Sequence, residues 1–311
     1  MTLSRRAALH LIAQGATLTA ASRALDLTGQ TAVNPASPLL TRTIPSSNEK
    51  LPVIGLGTWQ TFDVGDTPAE TIPLEEVLKA FVDLGGKLID SSPMYGRSEE
   101  VAGNLASKLK LHDKLFIATK VWTSGKAAGI QQMESSAAKL KAPRMDLMQV
   151  HNLVDVQTHL ETLQSWKSEG RIRYIGVTHY HAGSHDAVAR VLTKHPIDFV
   201  QINYSVGERD AEKRLLPLAR ERGIAVVVNR PFAGGELIRR LSKQPVPSWA
   251  ADADCQTWAQ LLLKFVISHP SITCAIPATS KVNHLRDNMA AGAGRLPDEN
   301  LRAKIAAEAL R

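Results

Sequence analysis

Cysteine is scarce in this 311-residue chain, which contains only Cys255 and Cys274. Cys255 is expected just before a helix and Cys274 within an apolar strand, so the two thiols have neither CxxC nor metal-ligand spacing. This pattern excludes cysteine-based redox and metal motifs. We expect two free thiols. The alternative is a single disulfide, which requires that the two residues have suitable geometry.

Long hydrophobic runs and dense basic runs are also absent. No stretch approaches the ~20 apolar residues that a membrane-spanning helix needs, so we expect no stable membrane span. The net charge of +7 comes from scattered Lys and Arg without interleaved aromatic residues, so we expect no nucleic-acid partner. With 44% hydrophobic and 22% charged residues, the composition is typical of a globular protein with a large core.

The N-terminus has the features of a processing segment rather than of a folded domain. Arg5 and Arg6 precede a weakly apolar stretch at 11–21, which resembles a twin-arginine export signal over residues 1–28. The alternative is an ordinary amphipathic helix. The signal predicts the export machinery as a partner and a periplasmic or exported location, whereas the helix leaves the protein in the cytoplasm. Residues 29–40 are small, polar and Pro-containing, which predicts a flexible linker.

From residue 41 to residue 311 the pattern predicts one domain. The segments 41–44 and 51–54 flank a polar turn at 46–50, which indicates a β-hairpin. Eight apolar strands then alternate with helices, and helical crossovers imply that the strands are parallel. Eight such units in about 250 residues favour a closed (β/α)8 TIM barrel, with a doubly wound open sheet as the alternative.

The predicted strands are 55–59, 87–90, 115–120, 146–151, 173–178, 199–203, 224–229 and 272–276. The predicted helices are 73–84, 99–109, 130–140, 156–169, 186–194, 211–222, 257–268, 282–291 and 298–310. The segment 234–254 is expected to be an ordered but irregular loop that serves as a lid or a subunit contact.

Three neighbouring strands carry residues with acid–base chemistry at or just beyond their ends. Asp90 ends one strand and Tyr95 follows it in a polar turn, while Lys120 and His151 end the next two strands. Each residue alone has an ordinary explanation, such as a cap, a loop aromatic or a core histidine. The strand ends of a parallel barrel converge on one rim, where active sites lie. We therefore expect these four side chains to meet.

Several further motifs accompany this set. They are GLGTW at 55–59, Asp90 and Tyr95 separated by four residues, ATK at 118–120, QVHN at 149–152, QINYS at 201–205, IPxxSK at 276–281, and Asn288. From about residue 41 to its end, the chain resembles the aldo-keto reductase superfamily. The resemblance implies a (β/α)8 barrel that reduces an aldehyde or ketone by hydride transfer from a reduced nicotinamide.

Carbonyl reduction needs a proton donor at the carbonyl oxygen, where negative charge grows. The resemblance assigns this role to Tyr95, whose free phenol has a pKa of about 10. We expect Lys120 to lower that pKa, because a neighbouring ammonium favours the phenolate. Asp90 is then the counter-ion that keeps Lys120 charged and aimed, and His151 orients the carbonyl oxygen.

The resemblance also implies residues that hold the nicotinamide. A polar pair after the fifth strand, here Thr178 and His179, and Gln201 of the sixth strand are expected to bind its carboxamide. The pair is usually Ser-Asn in the family, so His179 departs from the pattern. Asn229 stands where the family usually has a stacking aromatic, and the planar guanidinium of Arg230 beside it is expected to substitute for that ring.

The phosphates of the cofactor are expected at the last unit of the barrel. Ser280, Lys281 and Asn288 resemble the family's adenosine-phosphate clamp. Helix N-terminal amides and a nearby cation suit a 2′-phosphate, which predicts NADP(H) in preference to NAD(H). No GxGxxG follows a strand, which fits a nucleotide bound in extended form rather than in a Rossmann crevice.

The substrate wall is predicted to be apolar. Trp59, Trp122 and Phe232 lie at or just after strand ends, where their rings can line a pocket for a small carbonyl compound. Met94 is a further candidate. A histidine cluster follows the fifth strand but has no accompanying carboxylate pattern, so we expect no metal site.

Two other functions are weighed against reduction. A catalytically slow nicotinamide-binding sensor or binding protein on the same barrel would be marked by tight cofactor retention and a slow steady-state rate. A lyase or isomerase would show activity without nicotinamide.

Overall fold

The computed structural model describes residues 38–311. The predicted export signal at 1–28 and most of the predicted linker at 29–40 lie outside the described residues, so both stay predictions. Within the described range, no helix combines the length and the apolar character needed to cross a bilayer.

The predicted hairpin is confirmed. Strands β1 (Thr41–Thr43) and β2 (Lys50–Pro52) pair in antiparallel fashion. Ile44, which follows β1, and Leu51 of β2 are fully buried. They belong to one apolar cluster with side chains at the starts of three barrel strands, namely Leu88, Phe116 and Phe199. The hairpin therefore covers the end of the barrel at which the strands begin.

Eight parallel strands follow in sequence order around the barrel. They are β3 (Leu56–Gly57), β4 (Leu88–Asp90), β5 (Phe116–Val121), β6 (Met145–His151), β7 (Ile172–His179), β8 (Phe199–Asn203), β9 (Ala225–Asn229) and β10 (Cys274–Ala275). Parallel bridges from Ile54 to Ala275 and from Gly57 to Ala278 join the first strand to the last. The sheet is thus closed, so the (β/α)8 TIM barrel is confirmed and the open doubly wound sheet is excluded.

Among the described residues, eight helices lie between the barrel strands and two follow the last strand. They are α1 (Pro68–Asp83), α2 (Ser98–Lys108), α3 (Lys126–Leu140), α4 (Val156–Ser168), α5 (His185–Lys194), α6 (Leu215–Glu221), α7 (Glu236–Leu241), α8 (Trp258–Ile267), α9 (Val282–Ala290) and α10 (Glu299–Ala309). Trp166 and Trp258 are buried against the core. Cys255 and Cys274 are buried free thiols.

Helix α1 begins five residues before the predicted start at position 73. Pro68 occupies the first turn, where the missing N–H of proline has no intrahelical partner to lose. Thr67 precedes it and donates its hydroxyl to Glu70 at 2.6 Å, which fixes the helix start. Pro73 consequently lies inside the helix.

The segment 234–254 contains more regular structure than predicted. It holds α7 and a 3-10 turn at Ser248–Ala253. Leu237 and Leu241 of α7 are buried in the core, and their burial orders this segment. The alternation of strands and helices does not predict this extra helix. The predicted helix at 211–222 is likewise divided into a 3-10 turn, Asp210–Lys213, followed by α6.

Candidate active site

The turn after β4 places Tyr95 over the carboxyl end of the barrel. Tyr95 N donates to Ser92 O at 3.0 Å, and Asp63 accepts from the backbone N–H of Arg97 at 2.9 Å. Gly96 lies between them with φ +56°, and a Cβ there would come within 2.3 Å of Asp63 Oδ1. Only glycine fits this turn without displacement, so the residue after the tyrosine fixes the path of the turn.

Asp90 and Lys120 form a buried ion pair at the base of the site. Lys120 Nζ donates to Asp90 Oδ2 and to Ser91 O, both at 2.6 Å, and the lysine is fully buried. Burial lowers the pKa of Lys120, but the opposing attraction of Asp90, with a further contribution from Tyr95, leaves the pKa raised overall. The lysine is therefore an ammonium at neutral pH.

Two glutamines complete the surroundings of Asp90. Gln149 Nε2 and Gln201 Nε2 donate to Asp90 Oδ1 at 3.2 and 2.8 Å. Thr178 Oγ1 in turn donates to Gln201 Oε1 at 3.2 Å. Both oxygens of the buried carboxylate thus have hydrogen-bond donors, as a buried charge requires.

Tyr95 lies beside this pair, with Lys120 Nζ 5.0 Å from its ring centroid. Burial raises the pKa of Tyr95, and this effect exceeds the lowering by Lys120, whose charge Asp90 partly offsets. The predicted lowering by Lys120 is present, but the pKa of Tyr95 is raised overall. The lysine acts in the predicted direction, but sequence inspection did not weigh the cost of burying a phenolate.

His151 ends β6 and lies opposite Tyr95. The two rings are perpendicular, with centroids 6.1 Å apart, and His151 Nδ1 is hydrogen-bonded to Ser92 Oγ at 3.1 Å. Burial, and then the charge of Lys120, lower the pKa of His151 to about 3. The imidazole is consequently neutral throughout the physiological range.

This lowered pKa predicts a pH-dependent stability. The unfolded chain gains a proton on His151 as the pH falls through 6.5, whereas the folded chain does not until about pH 3. The free energy of unfolding therefore falls over this window. We expect a His151→Gln variant to lose less stability than the wild type between pH 6.5 and pH 3, measured by urea unfolding at several pH values. Parallel pH profiles of the two proteins would contradict this prediction.

A cavity of about 670 Å³ opens at this end of the barrel. Ten of the predicted site residues line it, namely Trp59, Asp90, Tyr95, Trp122, His151, Thr178, Gln201, Asn229, Arg230 and Phe232. Lys120 is fully buried behind Asp90. The residues at the strand ends of the barrel thus meet as the alternation of strands and helices predicts.

Four predicted cofactor residues are not on the cavity wall. His179 ends β7 and stacks on Tyr180, with ring centroids 5.7 Å apart and planes at 18°. Ser280 and Lys281 are exposed just before α9, and Asn288 is buried within that helix. Their roles stay predictions.

Some residues of the site were given no role from the sequence. Tyr180 and Asn152 line the cavity, and each follows the last residue of a strand, a position that indicates a rim residue. Gln149 and Asn152 were noted only as part of the QVHN motif, although Gln149 donates to Asp90. Met94, named as a candidate, does line the cavity and is 42% exposed.

Unpartnered polar atoms are concentrated at this cavity. Among the described residues, six buried side-chain N or O atoms have no hydrogen-bond partner, and three belong to the wall residues Asn152, Asn229 and Arg230. Buried polar atoms are nearly always paired in native proteins. The two free amide oxygens, Oδ1 of Asn152 and of Asn229, are suited to accept the N–H groups of a bound amide.

The sequence of the chain matches one protein family over most of its length. The sequence profile described as "Aldo/keto reductase family" matches residues 53–306. The chain belongs to this family. This reductase is therefore an NAD(P)H-dependent oxidoreductase, and the predicted enzyme class is confirmed.

Individual relatives of the reductase are moderately similar in sequence. It is 29% identical to methylglyoxal reductase YeaE of Escherichia coli (strain K12), over 79% of this chain and 87% of that protein. A solved aldo/keto reductase from Klebsiella pneumoniae in complex with NADP and acetate is 28% identical, with a TM-score of 0.70 over 83% of this chain and 91% of the other. A second Klebsiella pneumoniae structure, in complex with NADPH, is 27% identical, with a TM-score of 0.72 over 86% and 94%.

Proposed function

We propose that this reductase converts a small aldehyde or ketone to its alcohol with NADPH, and that Tyr95 is the general acid. The observation that carries the proposal is that the phenol of Tyr95 and the neutral imidazole of His151 face one cavity in front of the buried Lys120–Asp90 pair. When bound, the reduced nicotinamide supplies the hydride that reaches the carbonyl carbon. The similarity to a methylglyoxal reductase supports a small carbonyl substrate.

Tyr95 holds its proton until the carbonyl oxygen gains charge. Burial raises the pKa of this phenol, so the side chain is protonated at neutral pH. As negative charge develops on the substrate oxygen, the proton moves from Tyr95 to that oxygen. Lys120 then stabilises the phenolate that remains, because its ammonium lies near the ring of Tyr95. The hydrogen bond to Asp90 keeps Lys120 protonated and in place.

His151 positions the substrate oxygen. The neutral imidazole carries one N–H, and a neutral donor can bind the carbonyl oxygen without competing for the proton that Tyr95 supplies. Its ring is held by Ser92 and faces Tyr95 edge to face. We therefore assign His151 to orientation and Tyr95 to proton transfer.

The chain's residues suit a nicotinamide cofactor. Thr178, Gln201 and Asn229 lie side by side on the wall and are assigned to its carboxamide, whose N–H groups match the unpartnered Oδ1 of Asn229. Ser280, Lys281 and Asn288 are assigned to the adenosine phosphate. The complexes of similar proteins with NADP and with NADPH support this assignment and the preference for NADP(H).

A fluorescence titration of the full chain with NADPH and NADH, followed by addition of an aldehyde, tests the proposal. We expect tighter binding of NADPH than of NADH and oxidation of the bound cofactor once the aldehyde is added. Binding without turnover would favour the sensor interpretation instead. Turnover of the carbonyl compound without any nicotinamide would contradict both.

A Lys281→Met variant tests whether Lys281 makes the enzyme prefer NADPH to NADH. Loss of one charge-assisted hydrogen bond to a 2′-phosphate is expected to weaken NADPH binding about 10-fold or more. NADH lacks that phosphate, so its affinity should not change. Equal weakening of both nucleotides would show that Lys281 does not contact the 2′-phosphate.

A further inference from the structure

Ser92 carries a fully buried hydroxyl between Asp90 and Tyr95. Within the described residues, two groups lie at hydrogen-bond distance from its Oγ: the backbone N of Met94 at 3.4 Å and Nδ1 of His151 at 3.1 Å. The N–H of Met94 can only donate, so it cannot receive the hydroxyl hydrogen of Ser92. The one acceptor within reach of that hydrogen is therefore Nδ1 of His151.

This hydrogen bond determines which ring nitrogen of His151 carries the proton. If Nδ1 were protonated, it would donate to Oγ of Ser92, and the buried hydroxyl hydrogen would have no acceptor, which is costly. If Nδ1 is unprotonated, the hydroxyl donates to it while Oγ still accepts from Met94, and every group is paired. A ring with one proton then carries it on Nε2. The lowered pKa of His151, which keeps the imidazole neutral, agrees with this assignment.

The second ring nitrogen of His151 is open to the cavity. His151 lines the cavity, and within residues 38–311 its Nε2 is not one of the buried atoms without a partner. The ring of Tyr95 is perpendicular to the imidazole, with centroids 6.1 Å apart. An N–H on Nε2 and the phenol O–H are thus two donors on one cavity wall, and a carbonyl oxygen has two lone pairs to accept from both. An unprotonated Nε2 would present a lone pair to that oxygen and repel it.

We propose that Ser92 is a positioning residue for carbonyl reduction. Its hydroxyl donates to Nδ1 of His151 and thereby keeps the ring proton on Nε2, the nitrogen that faces the ligand. Ser92 acts only through His151, because it is fully buried and does not line the cavity. This inference rests on the proposed function, since an N–H on Nε2 matters for reduction only if a carbonyl oxygen binds beside it.

Nitrogen NMR of the full-length protein without ligands reads the tautomer directly. The chain contains ten histidines, so only histidine is isotope-labelled, and the resonances of His151 are those that disappear in His151→Gln. We expect a protonated, pyrrole-type nitrogen at Nε2 and an unprotonated, pyridine-type nitrogen at Nδ1. A pyrrole-type resonance at Nδ1 of the wild type would overturn the proposal. The wild-type spectrum decides this point even if a Ser92 variant does not fold.

Replacement of Ser92 by alanine removes the donor to Nδ1. We expect His151 to populate both tautomers in this variant, because the hydroxyl that selects one of them is gone. The value of kcat/KM for aldehyde reduction should fall about 10-fold, the contribution of one hydrogen bond, and the affinity for NADPH should not change. Ser92→Cys keeps the shape of the side chain with a weaker donor, so its tautomer ratio and its rate should lie between those of the wild type and Ser92→Ala.

Ser136→Ala is the matched control for the loss of a buried serine hydroxyl. Ser136 is 1% exposed, and its Oγ donates to Glu99 Oε2 at 3.1 Å, which equals the distance between Ser92 and His151. This variant should leave the His151 resonances and the reductase rate unchanged. A single tautomer and a wild-type rate in Ser92→Ala would overturn the proposal, as would an equal loss of rate in Ser136→Ala. A wild type without reductase activity would refute the proposed function, whereas an active wild type with its proton on Nδ1 would refute only this inference.

Discussion

Replacement of Tyr95 by phenylalanine is expected to lower kcat for aldehyde reduction by about 10² to 10⁴-fold, the usual contribution of general acid catalysis. The hydroxyl is the group proposed to donate the proton, and the ring and its packing against His151 remain in the variant. The measurement is single-turnover oxidation of bound NADPH. The affinity for NADPH should stay close to that of the wild type, because the hydroxyl is not assigned to the cofactor.

Tyr174→Phe is the matched control for the loss of a tyrosine hydroxyl. Tyr174 OH donates to Glu49 Oε2 and can accept from the hydroxyl of Ser47, both at 2.7 Å, beside the N-terminal hairpin. This variant should lose about 1 kcal/mol of stability, the net contribution of a typical hydrogen bond, and should keep its reductase rate. Full reduction by the Tyr95 variant would show that another group or water supplies the proton.

The positions of the four catalytic candidates could be predicted because barrel topology brings strand ends together. Asp90 and His151 end their parallel strands and Lys120 is the second-last residue of the strand between them, and the register of these strands places the side chains at one rim. This inference needs only the order of strands and helices. It does not require knowledge of any side-chain rotamer.

The energetics of the site could not be predicted in the same way. Whether the pKa of Tyr95 rises or falls depends on the balance of burial against the field of Lys120, and that balance is set by packing from several elements. The hydrogen bonds from Gln149 and Gln201 to Asp90 join residues that are 59 and 111 positions apart from it. The ion pair between Arg230 and Glu208, at 3.8 Å, likewise exists only in three dimensions, so the sequence indicated the presence of an arginine but not its partner.

Replacement of Lys120 by methionine is expected to lower the free energy of unfolding by about 3–5 kcal/mol, the usual cost of leaving one member of a buried ion pair without its partner. Asp90 would remain in the interior with donors from Gln149 and Gln201 but without its counter-ion. Reduction should also be strongly impaired, because no cation would stabilise the phenolate of Tyr95. The measurements are urea unfolding at neutral pH and the single-turnover rate.

Lys264→Met controls for the loss of a buried lysine. Within residues 38–311, Lys264 Nζ donates only to the backbone oxygens of Ala293 and Arg295, both at 2.7 Å. Its removal leaves no unpaired charge, only two carbonyl groups without a donor. The loss of stability should therefore be smaller than for Lys120→Met, and the reductase rate should be unaffected.

A double variant separates the structural role of the Lys120–Asp90 pair from its chemical role. Asp90→Asn combined with Lys120→Met removes both charges together, and replacing a buried pair by neutral groups is often nearly neutral for stability. The amide oxygen that this substitution introduces can still accept from the two glutamines, so the double variant should regain most of the stability that Lys120→Met loses. Its reduction rate should stay low, because the phenolate of Tyr95 still has no cation beside it. A double variant that regained both stability and rate would mean that the pair serves only to hold the barrel together, and that Tyr95 donates its proton without help from Lys120.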